Sequence, residues 1–376
     1  MNKFYNPVRT FQGYGSLQQL PALAKEAAES GKKVLLLVWN KQVLNNPHLQ
    51  AFQNGSGLSV ITEEFTASNP EISQLWKMYE KTKALNIGLV AAVGGGSVMD
   101  VGKSLCCLYH QDIADEESLR RMIAEKSYGK PVCRWIGIPT TAGTGSEVTC
   151  WATIWDSPNN KKYSVDTQSN FAYAAIVDPQ LACTMPIKLA VSSALDAAAH
   201  ATESYWAKAS NTVSRALALE AIRIIMGNID LLFDEDTLHE GHDQMAKGSM
   251  LAGLAFSNTR TTACHSISYP LTMHCHIPHG AAVSMLLSSV MKLNQSAIPD
   301  LPLLLTAYGV NSIDEVGKKI NALLDRAGYP VNLRGWGAEP SIIPFLAAHS
   351  ITKGRADNNP VEITEAIVTD ILKGIF

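Results

Sequence analysis

The sequence predicts an α/β domain with a Rossmann-like parallel sheet, followed by an all-helical domain. In the first half, apolar runs of strand length alternate with helical patterns, which is typical of a parallel sheet with helices on both faces. From about Pro186 onward, alanine-rich stretches with helical spacing replace the β-rich runs. A chain of 376 residues is long enough for two domains. We therefore assign residues 1–183 to the α/β domain and residues 184–376 to the helical domain.

The individual elements follow from the apolar patterns in chain order. The run "KKVLLLVW", for example, has the length and composition of a buried strand. Strands are predicted at 32–39, 57–65, 86–93, 133–140 and 174–178, with helices at 71–85 and 100–109 between them. In the second domain, helices are predicted at 188–210, 212–233, 241–258, 313–328 and 362–376.

The composition is typical of a soluble globular protein, with 46% hydrophobic and 17% charged residues. A formal net charge of -3 provides no positive field for nucleic acid or a membrane surface. The first residues lack the apolar segment of a signal peptide, and no apolar run approaches the roughly 20 residues of a membrane span. Seven cysteines without a C-x-x-C pair indicate neither a disulfide framework nor a zinc ribbon, so we expect a cytoplasmic protein.

A glycine-rich segment, "VGGGSVMDVGKSL", follows the third predicted strand and precedes a helix. Glycines at such a position let backbone N–H groups approach a phosphate, and the helix presents its positive end to it. Gly94, Gly95 and Gly96 are therefore candidates for holding a phosphate group. The competing interpretation is a tight turn without a ligand.

The same segment resembles a Walker A loop only superficially. The spacing to the Gly-Lys-Ser sequence is wrong by one residue, because Ser97 occupies the position where a glycine belongs. Lys103 would lie inside the helix and could not curl back toward a phosphate. The usual G-x-G-x-x-G dinucleotide fingerprint is also absent.

A second polar loop, "PTTAGTGSEVT", follows the fourth predicted strand. It offers hydroxyl groups and free N–H groups at the carboxyl edge of the same sheet. Open α/β sheets bind their ligands at this edge. Two such loops together favour a bound ligand over a pair of empty turns.

Four side chains of the second domain form a candidate metal site. Asp196 and His200 are spaced i and i+4 and so share a helix face, with alanines between them. His265 lies on another helix that Pro270 must end or kink, and His279 opens the next helix. Neutral imidazoles with one carboxylate suit a divalent first-row metal such as zinc or iron(II).

Each of these residues could also have a purely structural role, because a histidine in a helix is usually a half-buried side chain. His274 and His276 compete for the same role within the same stretch. The remaining histidines lie in polar contexts and are predicted to be on the surface: His48, His110, His239 and His242.

In order and spacing, the segments "GGGSVMDVGK", "PTTAGTGSEVT", "IVDP", "LDAAAHATESY" and "HIPHG" resemble the iron-containing (group III) alcohol dehydrogenases. The resemblance covers essentially the whole chain. It implies the two-domain fold also found in dehydroquinate synthase. It also implies reversible hydride transfer between a nicotinamide and a short primary alcohol or aldehyde, with iron(II), zinc or nickel as the divalent metal and NAD or NADP as the cofactor.

The resemblance implies roles for residues at matching positions. Asp196, His200, His265 and His279 match the metal ligands of the family. Lys162 matches a lysine near the nicotinamide ribose and is a candidate catalytic residue. The other implied cofactor-binding residues are Asn40, Asn69, Gly94, Gly95, Gly96, Ser97, Asp100, Thr140, Thr141, Thr144 and Ser146.

Two departures from the family pattern affect the expected chemistry. Tyr269 stands four residues after His265, where the family usually has a histidine that helps the proton leave, so Tyr269 is the second candidate catalytic residue. Asn40 stands where NAD-preferring members often have aspartate, and asparagine cannot repel a 2′-phosphate. NAD and NADP therefore both remain open.

The segment "NTRTTACHSISYPLT" is similar to the phosphonoacetaldehyde reductase branch of the family. Arg260 within it is a candidate substrate residue, because an arginine near the metal suits a phosphonate. Arg260 could equally form an ion pair at a helix start. The same scaffold would also suit a dehydroquinate synthase or glycerol-phosphate dehydrogenase type of enzyme, or a non-catalytic metal or nucleotide sensor. The N-terminal strand suggests a homodimer.

Overall fold

The computed structural model describes residues 3–159 and 161–376, which form two compact units. The α/β unit comprises Asn6–Thr141 and Ser146–Ala182. The helical unit comprises Cys183–Phe376, the segment Ala142–Gly145 and the N-terminal residues up to Tyr5. From the sequence we expected Ala142–Gly145 and the N-terminal residues in the first domain, whereas their contacts group them with the second.

The α/β unit is built on a six-stranded sheet in which all pairings are parallel. The strand order is β1-β8-β5-β4-β2-β3. The strands of this sheet are β1 (Arg9–Gln12), β2 (Lys33–Val38), β3 (Val60–Glu64), β4 (Ile87–Gly94), β5 (Arg134–Pro139) and β8 (Ala174–Val177); β6 (Trp151–Asp156) and β7 (Lys161–Asp166) form a separate antiparallel pair.

Both faces of this sheet are covered, because alternate residues of its central strands enter different cores. Leu35 and Leu37 belong to one core, and Val34, Leu36 and Val38 to the other. The helices of this unit are α1 (Leu20–Ala27), α2 (Pro47–Gly55), α3 (Ile72–Thr82), α4 (Gly96–Leu108) and α5 (Glu116–Glu125). Helices α1 and α2 pack on the face of the sheet that includes Val34, Leu36 and Val38. Helices α3, α4 and α5 pack on the opposite face, with Leu35 and Leu37.

The helical unit has one extended core of buried alanine, leucine, isoleucine and methionine side chains. Its helices are α6 (Ile187–Trp206), α7 (Thr212–Asn228), α8 (Leu238–Thr259), α9 (Ala263–Cys275), α10 (His279–Asn294), α11 (Leu301–Tyr308), α12 (Ile313–Arg326), α13 (Ile343–Ala348) and α14 (Glu365–Gly374). Together with the parallel sheet of the first unit, this architecture confirms the predicted fold class.

Several local predictions need correction. The sequence did not predict the β6–β7 hairpin, whose strands carry lysine and aspartate as well as apolar residues. The N-terminal strand β1 pairs with β8 of its own chain as an edge strand, so a homodimer stays a prediction. Of the two outcomes predicted at Pro270, an end or a kink, the first is wrong, because helix α9 continues through Pro270 to Cys275.

His242, predicted at the surface, is only 1% exposed. It lies in the first turns of α8, next to Gly241. A Cβ atom at Gly241 would lie 3.0 Å from the Leu231 backbone, so this glycine allows a close approach that a sequence pattern does not reveal. Burial lowers the pKa of His242, with the neighbouring His239 acting in the same direction.

Among the described residues, no helix combines the length and the apolarity needed to cross a bilayer.

Candidate metal centre and glycine loop

The glycine loop joins β4 directly to α4. Strand β4 ends at Gly94, Gly95 is the N-cap residue, and the helix begins at Gly96. Within the described chain, no side chain caps this helix start and its first turn carries no acidic residue. The first N–H groups of α4 therefore have no side-chain acceptor, which is the arrangement that favours an anion at a helix N-terminus.

The loop lies where the order of the strands reverses. Chain order runs outward from β2 to β3 and then returns to β4 on the other side of β2. The amide of Trp39, just after β2, donates to the carbonyl of Val93 at 3.0 Å, so the two strand ends are adjacent. Ligands of open α/β sheets bind at this type of switch point.

Predicted loop residues from three parts of the α/β unit come together around Gly94–Ser97. The amide of Thr140 donates to the carbonyl of Gly94 at 3.1 Å. The side chain of Thr141 lies 3.5 Å from the position of a Cβ built on Gly95. The amide of Asn69, which has a φ of 54°, donates to the hydroxyl of Ser97 at 3.1 Å.

Asn40 follows β2 and caps a short helical turn. Its side-chain oxygen accepts from the amide of Gln42 at 2.7 Å. The carboxylate of Glu64, at the end of β3, accepts from the amide of Lys41 at 2.7 Å. The structure therefore adds an acidic group beside Asn40 that the sequence did not indicate, since the two residues lie on different strands.

Lys103 does not have the role of a Walker lysine. Its ammonium group is fully buried and donates to Ser146 at 2.7 Å, to Thr149 at 3.0 Å and to the carbonyl of Trp151 at 3.0 Å. These three acceptors match the three donors of an ammonium group. Lys103 therefore links α4 to the polar segment that contains Ser146 and Thr149, and it has no N–H donor left for a phosphate.

Asp100 and Ser146 belong to the same network. Asp100 accepts from the hydroxyl of Ser146 at 3.1 Å and from the amide of Thr153 at 3.0 Å. Burial raises the pKa of Asp100, against an opposing effect of Lys103 and a smaller one of Lys162. Lys162 lies on β7, 4.8 Å from the ring centroid of Trp155. Their predicted contacts with the cofactor stay predictions.

Glu147 provides a pH-dependent prediction for this unit. Burial raises the pKa of its carboxyl from an ordinary value of 4.5 to about 7, and nearby Lys103 offsets only part of this effect. The carboxyl therefore destabilises the fold as pH rises from 4.5 through 7, by up to about 3 kcal/mol. We expect Glu147→Gln to melt at a higher temperature than wild type at pH 8, with a smaller difference at pH 5. A difference in melting temperature that is the same at pH 5 and pH 8 would show that ionisation of Glu147 does not cause it.

In the helical unit, three of the predicted ligands converge. Asp196 Oδ1 lies 3.5 Å from His265 Nε2 and 3.9 Å from His279 Nε2. One ligand atom from each of the three residues lies within 4.8 Å of the others. Ligand atoms about 2.1 Å from an ion in a tetrahedral site are roughly 3.4 Å apart, so the 3.5 and 3.9 Å separations are close to those around a divalent first-row metal.

Unsatisfied polar atoms support the same interpretation. Asp196 Oδ1, His200 Nδ1 and His265 Nε2 are buried without a hydrogen-bond partner in the described chain. Leaving such atoms unpaired is costly, and most buried polar groups in proteins are paired. A cation among Asp196, His265 and His279 would satisfy Asp196 Oδ1 and His265 Nε2, so the residues present fit a metal ion.

His200 lies next to Asp196, His265 and His279 but is not one of the three residues whose ligand atoms lie within 4.8 Å of one another. Its Nδ1 lies 3.7 Å from Asp196 Oδ2, and its ring lies 4.2 Å from the ring of His265 by their centroids. The His200 ring also stacks on Phe256 at 4.3 Å. Its assignment as the fourth ligand stays a prediction.

Glu203 is a site residue that the sequence motifs did not indicate. It is fully buried and accepts from the hydroxyl of Thr262 at 2.7 Å, from the amide of Cys264 at 2.6 Å and from His265 Nδ1. The last contact leaves His265 Nε2 to face Asp196, which is the usual way that a carboxylate orients a metal-binding histidine. The i, i+4, i+7 spacing of Asp196, His200 and Glu203 could have indicated it.

The charges of the group favour a cation. Burial alone would raise the pKa of Asp196, but the surrounding histidines hold it well below its ordinary value. Burial lowers the pKa of His200 to about 4, so that this imidazole is neutral. Burial opposes the charging of His265, yet Glu203 and Asp196 raise its pKa to about 9. Two ionised carboxylates, Asp196 and Glu203, thus lie beside a neutral His200 and a His265 that holds a proton when no metal is bound. Metal binding would displace this proton.

Tyr269 lies beside this group, as its position on α9 suggested. Its ring is nearly parallel to that of His279, at an angle of 7° and a centroid distance of 6.0 Å. Burial raises the pKa of its hydroxyl, whereas Arg355 lowers it less strongly. The rivals His274 and His276 instead line a separate cavity of about 600 Å³.

The remaining predicted residues occupy defined backbone positions. Thr144 is half-buried between Gly143, which approaches Ser193, and Gly145, which approaches Gly253. Arg260 follows α8 with a φ of 63°, and its amide donates to the carbonyl of Phe256 at 2.7 Å. Their predicted roles toward cofactor and substrate stay predictions.

Comparison with known protein families supports the family resemblance seen in the sequence. Residues 7–179 match the model of iron-containing alcohol dehydrogenase, and residues 190–376 match that of the C-terminal part of the Fe-containing alcohol dehydrogenase family. The two matches together leave only short stretches of the chain unassigned.

Individual relatives agree with these matches. The aldehyde-alcohol dehydrogenase of Streptococcus pneumoniae is 33% identical over 233 residues, which are 60% of this chain and 26% of that protein, so the chain spans about a quarter of that relative. The 1,3-propanediol dehydrogenase of Citrobacter freundii is 26% identical over 366 residues, 92% of each chain. The crystal structure of sulfoacetaldehyde reductase from Bifidobacterium kashiwanohense in complex with NAD+ superimposes with a TM-score of 0.89 at 26% identity, covering 100% of this chain and 98% of the other. The chain belongs to the iron-containing alcohol dehydrogenase family.

Proposed function

We propose that the protein is a metal-dependent, NAD(P)-linked alcohol dehydrogenase that interconverts a short primary alcohol and its aldehyde. The observation that carries this proposal is the group of buried Asp196, buried His265 and half-buried His279. Their ligand atoms lie close together, and two of these atoms, Asp196 Oδ1 and His265 Nε2, are unpaired in the described chain. Membership of the family supplies the reaction class.

Asp196, His265 and His279 would hold the metal, with His200 as the fourth ligand. A divalent cation supplies Lewis acidity toward an alcohol or aldehyde oxygen, and a nicotinamide supplies or accepts the hydride. Glu203 fixes the tautomer and orientation of His265 through its contact with Nδ1. The iron(II) expectation rests on the family, and zinc or nickel would suit the same donor atoms.

The glycine loop would hold the pyrophosphate of the cofactor. The uncapped N–H groups at the start of α4 supply hydrogen-bond donors and a positive dipole end. Asn69 and Thr141 border this loop and would narrow the phosphate site. Tyr269 is proposed to assist proton transfer, because its hydroxyl is on a ring packed against His279.

Two alanine substitutions in the glycine loop test the cofactor assignment. A Cβ at Gly94 would lie 2.5 Å from a Val98 methyl, so Gly94→Ala is expected to lower the melting temperature through overpacking. A Cβ at Gly95 meets nothing closer than 3.5 Å, so Gly95→Ala should fold normally. It should nevertheless raise the KM for the cofactor roughly tenfold, because the added methyl group would keep the phosphate away from the backbone N–H groups, at the cost of about one hydrogen bond to a charged group. An unchanged cofactor KM in Gly95→Ala would place the phosphate elsewhere.

The proposed reaction is tested by steady-state kinetics on metal-free and reconstituted protein. Protein loaded with iron(II), zinc or nickel should oxidise NADH or NADPH with short aldehydes, and chelation should remove this activity. Measuring both cofactors in parallel also gives the NAD or NADP preference. An absence of turnover with every metal and both cofactors would contradict the proposal.

A second candidate is a reductase of phosphonoacetaldehyde or a similar anionic aldehyde. The similarity to a sulfoacetaldehyde reductase favours it, because that enzyme is named for an aldehyde with an anionic group. On the sequence alone, Arg260 is the residue expected to bind the anion. This candidate fails if phosphonoacetaldehyde is reduced no faster than propanal.

A further inference from the structure

Arg355 is an arginine beside the proposed metal centre that no sequence motif indicated. It lies in the helical unit, between α13 and α14. Its guanidinium carbon lies 5.1 Å from the ring centroid of Tyr269. Because the Tyr269 ring is itself packed against His279, Arg355 is separated from the metal group by one side chain.

The backbone around Arg355 is fixed to the helices that carry the site. The amide of Thr352 donates to the hydroxyl of Ser266, the residue after His265, at 2.9 Å. On the other side, Asn358 donates to the carbonyls of Thr259 and Thr261 at 2.8 and 3.1 Å. The amide of Arg355 donates to the carbonyl of Thr352 at 3.2 Å. These contacts hold the start of the side chain at a defined place relative to α9.

The charge of Arg355 is not neutralised by a carboxylate of the described residues. Across residues 3–159 and 161–376, no ion pair joins it to a carboxylate, and the partner of its side chain is Tyr269. The side chain is half-buried, so water screens it less than an exposed arginine. A guanidinium is always charged, and its fork of N–H donors matches carboxylate, sulfonate or phosphonate oxygens.

Resting on the proposed function, we infer that Arg355 binds the anionic group of the substrate, which is a short aldehyde carrying a sulfonate, phosphonate or carboxylate. The aldehyde oxygen would face the group of Asp196, His265 and His279. Tyr269 lies between the two ends and would pack against the carbon chain. Arg355 would thus select the substrate, while the chemistry takes place at the other end of the molecule.

The test compares wild type with Arg355→Met in the metal-loaded enzyme. Each is assayed with sulfoacetaldehyde, phosphonoacetaldehyde, succinic semialdehyde and the neutral aldehyde propanal. Loss of a charge-assisted contact should raise the KM for the preferred anionic aldehyde roughly 10- to 100-fold. The KM for propanal should change less than about twofold, because propanal has no group for the guanidinium to bind. Any change in kcat that Arg355→Met causes through Tyr269 should be the same for all four aldehydes. The three anionic aldehydes show which acid group is preferred.

Two further variants separate recognition from packing. Arg334→Met is the matched control, because Arg334 also lies over an aromatic ring, 5.3 Å from that of Phe376. It should leave all four KM values unchanged. Arg355→Lys keeps the positive charge but lacks the forked N–H donors of arginine. It should recover part of the preference for anionic aldehydes over propanal. An equal rise in KM for propanal and for the anionic aldehydes in Arg355→Met would overturn the inference, as would unchanged KM values for the anionic aldehydes. Failure of wild type with every aldehyde would instead refute the proposed function.

Discussion

Replacing His265 with alanine is expected to remove the bound metal and to lower kcat/KM for aldehyde reduction by about 1000-fold or more. The loss should exceed the roughly 10- to 100-fold effect typical of residues that only support a ligand. His265 is 2% exposed and provides a buried ring nitrogen without another partner in the described chain. Its removal takes one ligand away from the metal site and, with it, the proposed route to Lewis acidity.

Metal analysis of purified protein and steady-state kinetics measure the two parts of this prediction. His274→Ala is the matched control, because His274 lies on the same helix but lines a cavity outside the metal group. The control should retain metal and activity. A His265→Ala protein that folds, binds one metal per chain and turns over at a rate near that of wild type would refute the assignment.

Glu203→Gln is expected to weaken metal binding roughly 10- to 100-fold, the range for carboxylates that orient a metal-binding histidine. Glu203 accepts three hydrogen bonds, from His265 Nδ1, Thr262 and Cys264, and donates none. An amide has only one acceptor oxygen. In either orientation of the glutamine amide, its NH₂ group would face a group that donates a hydrogen bond to Glu203 in the wild type. At least one hydrogen bond is therefore lost in a site closed to water.

Titration of metal-free protein against a competing chelator measures this affinity. We expect kcat at saturating metal to fall less than the affinity does, because Glu203 acts through His265 and does not contact the ion itself. Glu240→Gln, at an exposed position in the first turn of α8, controls for the loss of a negative charge. Metal affinity of Glu203→Gln close to that of wild type would show that Glu203 has no positioning role.

The features that the sequence predicted well are those set by local periodicity. Strand β2 and helix α6 follow from continuous apolar runs and from helical spacing, because both patterns are read along the chain. The position of the glycine loop could be predicted because consecutive glycines between a strand and a helix are typical of a tight connection between the two elements. Asp196 and His200 could be placed on one helix face because their spacing matches the helical period.

The features that the sequence did not reveal depend on contacts between distant residues. The hydrogen bond between Glu203 and His265 joins residues 62 positions apart, and no local pattern specifies it. Arg355 reaches Tyr269 because side-chain and backbone contacts of its loop fix that segment against α9. Helix α9 continues through Pro270 because its buried surroundings outweigh the local preference of proline to end a helix.

Transfer of deuterium to the product alcohol from NADH that carries deuterium at both C4 positions of the nicotinamide tests the proposed activity most directly. Metal-loaded protein, labelled NADH and a short aldehyde are incubated, and the alcohol is characterised by mass spectrometry and NMR. The proposed function predicts a single deuterium on the carbinol carbon of the alcohol, and no labelled alcohol with chelated protein or with His265→Ala. Oxidation of the cofactor without deuterium in the alcohol, or transfer that persists without metal, would contradict it.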